Sequence, residues 1–346
     1  MKKTILPLFL ALLFLAGCAA GDTAPSGAPA QKQYQASFLT LFDTATTMLG
    51  YAESEEAFLE QAQALHDELL EYHQLFDIYN DYEGVNNLKT VNDRAGGDPV
   101  VVDQRIIDLL LDCRELCQAT GGTVNVAMGS VLSLWHDARS AGVDDPENAA
   151  LPDAGALEKA AKHVSFDTIL IDEAASTVCI TDPHQRLDVG AIAKGWSVER
   201  VCENAPEGIL LSVGGNVRAT GPKPGGNPWV VGIQSPDGGK EDYLHTLYVE
   251  QGSVVSSGDY QRYYTVDGVA YHHIIDPDTL YPADRWRAVT VLCLDSGLAD
   301  ALSTAIFNMD QAEGQTLLDR YEACALWVAK DGTLLYSPGF EAHIRN

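Results

Sequence analysis

Apolar positions along this chain follow two rhythms, one with helical spacing and one with strand alternation. Helical spacing governs residues 55–72, where Phe58, Ala62, Leu65, Leu69 and Leu70 form one stripe. It returns over 103–119, where Ile106, Leu109, Leu110 and Leu116 line one side and Gly121-Gly122 stop the run. The same period predicts helices over 153–162, 191–204, 298–309 and 311–321. Runs rich in β-branched residues predict strands over 38–51, 209–213, 229–233, 244–249, 254–256, 261–266 and 287–294. Two hairpins are expected, 165–171 with 177–181 and 324–328 with 333–336. Residues 123–135 open like a strand and continue like a helix, while 76–92 and 142–152 read as loops. Helices and strands mix without strict βαβ alternation. The class is therefore α+β, with mainly antiparallel sheets and flanking helices.

The first residues stand apart. Met1-Lys2-Lys3 is basic, 5–15 is apolar, and Leu15-Ala16-Gly17-Cys18 places small residues before a cysteine. The apolar run is too short for a mature membrane span, so 1–17 reads as a signal peptide. The cysteine after the small pair resembles a bacterial lipobox, which makes Cys18 the expected lipidation site. Residues 18–34, rich in Ala, Gly, Ser, Pro and Thr at first, read as a flexible tether, and 35–346 as one folded domain. The expected location is outside the cytoplasm, held to the membrane by lipid.

Net charge is −27, from 22 Lys and Arg against 49 Asp and Glu. Such a surface repels nucleic acid and anionic headgroups. A phosphorylated ligand needs a local basic residue or a divalent metal to reverse that field. Of seven cysteines, the six besides Cys18 are scattered and show no zinc-finger spacing, so free thiols are expected.

Three stretches are dense in chemistry. Asp188-Val189-Gly190-Ala191-Ile192-Ala193-Lys194 predicts a turn into a helix start, where backbone N–H groups can seat a phosphate and Lys194 can reach it. Asp300 and Thr304, four apart on a predicted helix, share a face and offer hard oxygen ligands suited to Mg²⁺. The same pair also suits a capping aspartate with a core threonine. His273, before Ile274-Ile275-Asp276-Pro277, fits a strand end, a general acid or base, or a donor to phosphate.

Five ordered motifs now stand together: Asp188 to Gly195, Ser212-Val213-Gly214-Gly215-Asn216, Ser256-Ser257-Gly258-Asp259-Tyr260, His273 to Pro277, and Ala299-Asp300-Ala301-Leu302-Ser303-Thr304. From Phe42 to about Met309 the chain resembles the ApbE-type FAD:protein FMN transferases, which are often lipoproteins. The resemblance implies an ApbE-like α+β fold with a central flavin-binding cleft. It implies an enzyme that splits the FAD diphosphate with Mg²⁺, moves FMN onto a threonine hydroxyl of an acceptor protein, and releases AMP. The family pattern puts the metal on the Ala191 carbonyl, Asp300 and Thr304. It puts FAD against Phe42, Tyr79, Thr123, Val124, Asn125, Asp188, Lys194 and Ile275, with His273 and Asp300 in catalysis. The implied acceptor is an exported or membrane redox protein acting in trans. Val124-Asn125 departs from the common aromatic-aspartate pair, Leu280 replaces a usual glycine, and Asp278 stands where a basic or polar residue is frequent. A Mg²⁺-dependent FAD pyrophosphatase and a lipid-anchored FAD carrier are the alternative functions for the same site.

Overall fold

An eight-stranded antiparallel sheet organises the molecule, with order β1-β2-β6-β7-β10-β13-β14-β15. The computed structural model describes residues 31–39, 41–239 and 242–345. The expected signal peptide, the expected lipidation site Cys18 and the expected tether up to residue 30 lie outside the described residues. The strands are β1 (Lys32–Leu39), β2 (Ala45–Ala52), β3 (Val100–Val101), β4 (Ile169–Asp172), β5 (Thr177–Ile180), β6 (Leu210–Val213), β7 (Asn216–Ala219) and β8 (Trp229–Gln234). They continue with β9 (Tyr243–Val249), β10 (Gly252–Gly258), β11 (Tyr263–Val266), β12 (Val269–His272), β13 (Trp286–Cys293), β14 (Cys324–Ala329) and β15 (Leu334–Tyr336). Helices are α1 (Glu55–Phe76), α2 (Leu88–Asp93), α3 (Gln104–Ala119), α4 (Gly129–Asp144), α5 (Ala154–Ala160), α6 (Ala193–Glu203), α7 (Ser296–Asn308) and α8 (Gln311–Arg320). The class is α+β, as expected.

Several boundaries differ from the sequence reading. Residues 38–51 are not one strand but parts of a hairpin: β1 pairs with β2 across a short turn at Leu41–Asp43. Phe42 and Asp43 turn the chain at φ 52° and 54°, in the left-handed region, with neither Gly nor Pro to mark the place. β1 also begins at Lys32, inside the stretch expected to be tether. α4 continues through 142–144, expected as loop, because Trp135 and Gly142 remain buried on one side. Short elements α2, β7 and β12 had no distinct signal of their own.

Most helices begin with a local cap. Ser54, Asn87, Asp103, Asp153, Asp295 and Asp310 each accept a backbone N–H from the first turn. α4 and α6 have no side-chain cap of their own. The main core lies where α1, α3, α6 and α7 meet the sheet, and α7 is its centre. Leu302, Ile306 and Phe307 are fully buried, each contributing about 1.5–3 kcal/mol by area. The opposite sheet face is covered by the β8–β9 hairpin. A third, smaller cluster joins α4 to β11 and the 275–281 turn through Met128, Trp135, Tyr264 and Ile275.

Candidate active site

Main core and small cluster are separated by a cavity of about 560 Å³. Every expected site residue among the described ones borders it: Phe42, Tyr79, Thr123, Val124, Asn125, Asp188, Ala191, Lys194, His273, Ile275, Asp300 and Thr304. Segments more than 250 residues apart in sequence therefore share one chamber.

One corner is the crossing of α6 and α7. Gly195 makes it possible: a Cβ there would run into the Ser296 carbonyl oxygen and sit 2.5 Å from Asp300 Cβ. At this distance the Gly195 N–H donates to Asp300 Oδ2 at 2.9 Å, so Asp300 caps α6 from another helix. Lys194 Nζ lies 3.6 Å from the same oxygen. Behind the corner, buried Glu199 accepts two bonds from Arg218 at 2.9 and 3.0 Å and one from the Ser296 N–H at 2.7 Å. This ties α6 to β7 and to the start of α7.

The helix start corrects one expectation. The first N–H groups of α6 were expected to be open for a diphosphate. Instead Ile192 and Ala193 N–H donate to Val189 O at 3.0 and 2.9 Å, and Gly195 N–H is taken by Asp300. The negative group at this dipole end is a carboxylate of the protein itself. What remains for an anion is the Lys194 ammonium, while Asp300 Oδ1, with no hydrogen-bond partner among the described residues, is left open to a cation. Thr304 follows one turn later on the same face of α7.

An aromatic wall faces this corner. Phe42, in its left-handed turn, donates its N–H to His73 Nδ1 at 3.3 Å and meets that ring edge-on. Asp77 ends α1 and gathers bonds from the N–H groups of Tyr79 and Asn80, the Asn80 amide and the Tyr82 hydroxyl. Burial opposes ionisation of Asp77, but these donors outweigh it and hold the carboxyl below the usual aspartate value. The resulting turn presents Tyr79, half-exposed, stacked on His136 with ring centroids 4.8 Å apart. Arg139 can only donate, so His136 Nδ1 is an acceptor, taking bonds from Arg139 at 3.4 Å and from the Tyr79 hydroxyl at 3.3 Å. Burial, then the Asp188 charge, pushes the Tyr79 hydroxyl up to about 12.

The floor is two segments side by side, the turns of 123–128 that lead into α4 and the irregular stretch 186–190, joined by one isolated bridge between Met128 and Arg186. Asp188 N–H donates to Val126 O at 2.8 Å. Gly129 allows the approach, since a Cβ there would lie 2.6 Å from the Arg186 carbonyl oxygen. Asn125 spends its amide on the protein, donating to Val164 O and accepting from Ala127 N–H, both at 2.9 Å. Val124 is buried at 2% exposure. The Asn125 side chain thus braces the loop while bordering the cavity, a bracing the sequence did not disclose. Asp188 folds back onto the Gly190 N–H at 2.9 Å. Burial raises its carboxyl above the usual value, against the pull of that N–H, His136 and Arg139.

The two adjacent histidines have separate duties. His272 is buried, bonded through Nε2 to Ala283 O at 2.8 Å and through Nδ1 to the Ile274 N–H at 3.2 Å. His273 faces the cavity solvent while protein crowds the rest of the ring. Desolvation, then Arg262, His272, Lys194 and Arg139, push it down to about 3. After Ile275, the turn capped by Asp276 runs through Leu280 at φ 63°. This is where a glycine would sit without strain, and the unusual leucine is the price of an apolar contact beside Trp135.

Arg139, Arg262, His73, His136 and Asp77 also line the chamber and were not singled out from sequence. The usable signal was charge: an arginine on the apolar α4 stripe, and another just after the Ser257 to Tyr260 motif, are conspicuous in so acidic a chain.

Comparison with known proteins gives a consistent result. The ApbE family pattern matches residues 42–327. An FAD:protein FMN transferase of Treponema pallidum (strain Nichols) is 33% identical over 277 residues, 75% of this chain and 75% of that protein. One from Klebsiella pneumoniae (strain 342) is 29% identical over 284 residues, 79% and 86% of the two chains. Among solved structures, the ApbE protein of Thermotoga maritima superposes with TM-score 0.80 at 30% identity, covering 91% of this chain and 100% of that one. The flavin transferase ApbE of Vibrio cholerae, at 21% identity, shares the fold with TM-score 0.74 over 91% of this chain and 100% of that one.

Proposed function

This chain belongs to the ApbE family and is an FAD:protein FMN transferase, and from that premise we propose a Mg²⁺-dependent transfer of FMN to a threonine hydroxyl with release of AMP. The acceptor oxygen bonds to the flavin-side phosphorus of FAD. The bond from that phosphorus to the bridging oxygen breaks, AMP leaves with the bridging oxygen, and the hydroxyl proton passes to a base. The observation that carries this reading is the meeting of Asp300, Thr304, Lys194 and His273 in one cavity.

The donor set suits magnesium. Asp300 has one oxygen open, Thr304 adds a hydroxyl and Ala191 a backbone carbonyl, all hard ligands. Mg²⁺ bound there would supply neutralisation of phosphate charge. Lys194 is placed to hold a phosphate oxygen beside that corner. Phe42, Tyr79 and His136 offer stacking surface for a flavin or an adenine. His273 is our base: its ring is unprotonated at neutral pH and open to the chamber. Burial is the larger cause of that lowering; an anionic ligand nearby offsets the part due to the cations and raises its basicity.

We further propose export and lipidation at Cys18, with an exported or membrane redox protein as acceptor. No helix among the described residues is long and apolar enough to cross a membrane, so attachment would rest on the lipid.

The test is incubation with FAD, Mg²⁺ and an acceptor protein carrying a target threonine. Covalently flavinylated acceptor with equimolar AMP, lost on Thr→Ala substitution of the acceptor, is expected. Free FMN with AMP and unlabelled acceptor would replace transfer by hydrolysis, and FAD recovered intact would leave only a carrier.

A further inference from the structure

Seven of the 19 described Lys and Arg side chains pair with a carboxylate. Lys194 pairs with Asp300, Arg218 with Glu199, and Arg287 with Asp237 and Asp259. Arg139 and Arg262 do not: neither has a carboxylate partner among the described residues, and both line the active-site cavity. Arg139 is half-buried on α4 and its one hydrogen bond goes to His136 Nδ1, not to a carboxylate. Arg262 stands in the short link between β10 and β11 and is exposed.

We propose that Arg139 and Arg262 form a clamp for the diphosphate of FAD, gripping the dinucleotide from the α4 and β11 side of the chamber. This deepens the transferase reading and rests on it. Two guanidinium groups brought to one cavity repel each other unless an anion joins them, and a diphosphate presents several oxygens to paired donors. The repulsion is visible in Arg139, which burial and then Arg262 hold below the ordinary arginine value. The corner at Asp300 cannot serve alone, because Asp300 itself closes the α6 start and takes up Lys194. A ligand with two negative phosphates entering a field of −27 needs more positive charge than Lys194 provides. The clamp also answers how the leaving AMP phosphate is stabilised: the bridging oxygen gains charge as its bond to the flavin-side phosphorus breaks, and donors on the diphosphate would meet that charge.

The test measures equilibrium binding of ADP and FAD to the purified chain with Mg²⁺ present, without an acceptor. Arg139→Gln and Arg262→Gln should each weaken both ligands about tenfold or more, with melting temperatures close to the parent. Arg262→Lys should fall between, since the charge remains and the fork is lost. The salt dependence of ADP affinity should be shallower in each Gln variant. Unchanged ADP and FAD affinity in both Gln variants overturns the clamp. A parent protein that binds neither ligand removes the transferase reading and the clamp together; a parent that binds both while the variants match it removes the clamp alone.

Discussion

Asp300 does two things at once, and substitution can separate them. Its Oδ2 caps α6 through the Gly195 N–H, and its charge, with Oδ1 open, faces the cavity. Asparagine keeps an oxygen for the cap and removes the charge. Asp300→Asn should therefore melt within about 1 kcal/mol of the parent while initial rates fall about 10²–10³-fold, the scale of losing one electrostatic contact to a transition state. Asp300→Ala should lose the same activity and a further ~1 kcal/mol or so of stability, the cost of an absent cap. Calorimetry with rates over a Mg²⁺ series checks both; full activity in Asp300→Asn removes the metal assignment. His273 supplies a second measurable quantity. Its folded value of about 3 lies under the ordinary histidine value, so the folded ring stays neutral where the unfolded one takes a proton. Its share of stability is then intact above about pH 6.5 and drains away as pH falls from there toward its folded value. The imidazole proton resonance should titrate below about pH 5 in the ligand-free protein and shift upward when ADP binds. A midpoint near 6.5 without ligand would contradict the desolvation of the ring and, after it, the crowding by Arg262, His272, Lys194 and Arg139.

At the scale of elements, the site depends on how closely α6 and α7 approach. Gly195→Ala places a methyl group against Ser296 O and Asp300 Cβ. Neither can yield easily, because Ser296 N–H is held by Glu199 and α7 is buried along its length. Overpacking of this kind costs about 1–3 kcal/mol, and transfer should fall even at temperatures where the variant is folded. Normal activity with a normal melting temperature would show that the corner has slack. Gly195 also illustrates what could be read in advance. A glycine beside Lys194 and a helical Asp300-x-x-x-Thr304 were both legible as local pattern, and the periodicity of α1, α3 and α7 was strong enough to place them. That Asp300 caps α6 was not legible, since no local spacing reports a contact across 105 residues. The β1–β2 turn was hidden for a different reason: Phe42 and Asp43 take left-handed conformations that their residue types rarely signal. Asn125 borders the cavity as expected, and only folding reveals that its amide also bonds Val164 and Ala127.

For the whole molecule, two fields act on FAD with opposite sign. The chain carries −27 overall, while Lys194, Arg139 and Arg262 face the cavity alongside Asp43, Asp77, Asp188 and Asp300. Which field governs approach depends on the screening length, about 30 Å at 0.01 M salt and about 8 Å at 0.15 M. At low salt the distant carboxylates are felt and repel an anionic dinucleotide before it meets the cavity. At physiological salt they are screened beyond the first few ångströms, while cations lining the chamber still act at contact distance. The association rate of FAD should therefore rise with salt from 0.01 to 0.15 M, opposite to the usual fall for an anion entering a basic site. Its dissociation rate should rise as well, because the local contacts weaken. Riboflavin, uncharged, should show neither trend and serves as the control in stopped-flow fluorescence. An FAD association rate that falls steadily over this range would mean that the local cations dominate at long distance too, and that the acidic surface lies too far from the cavity mouth to matter.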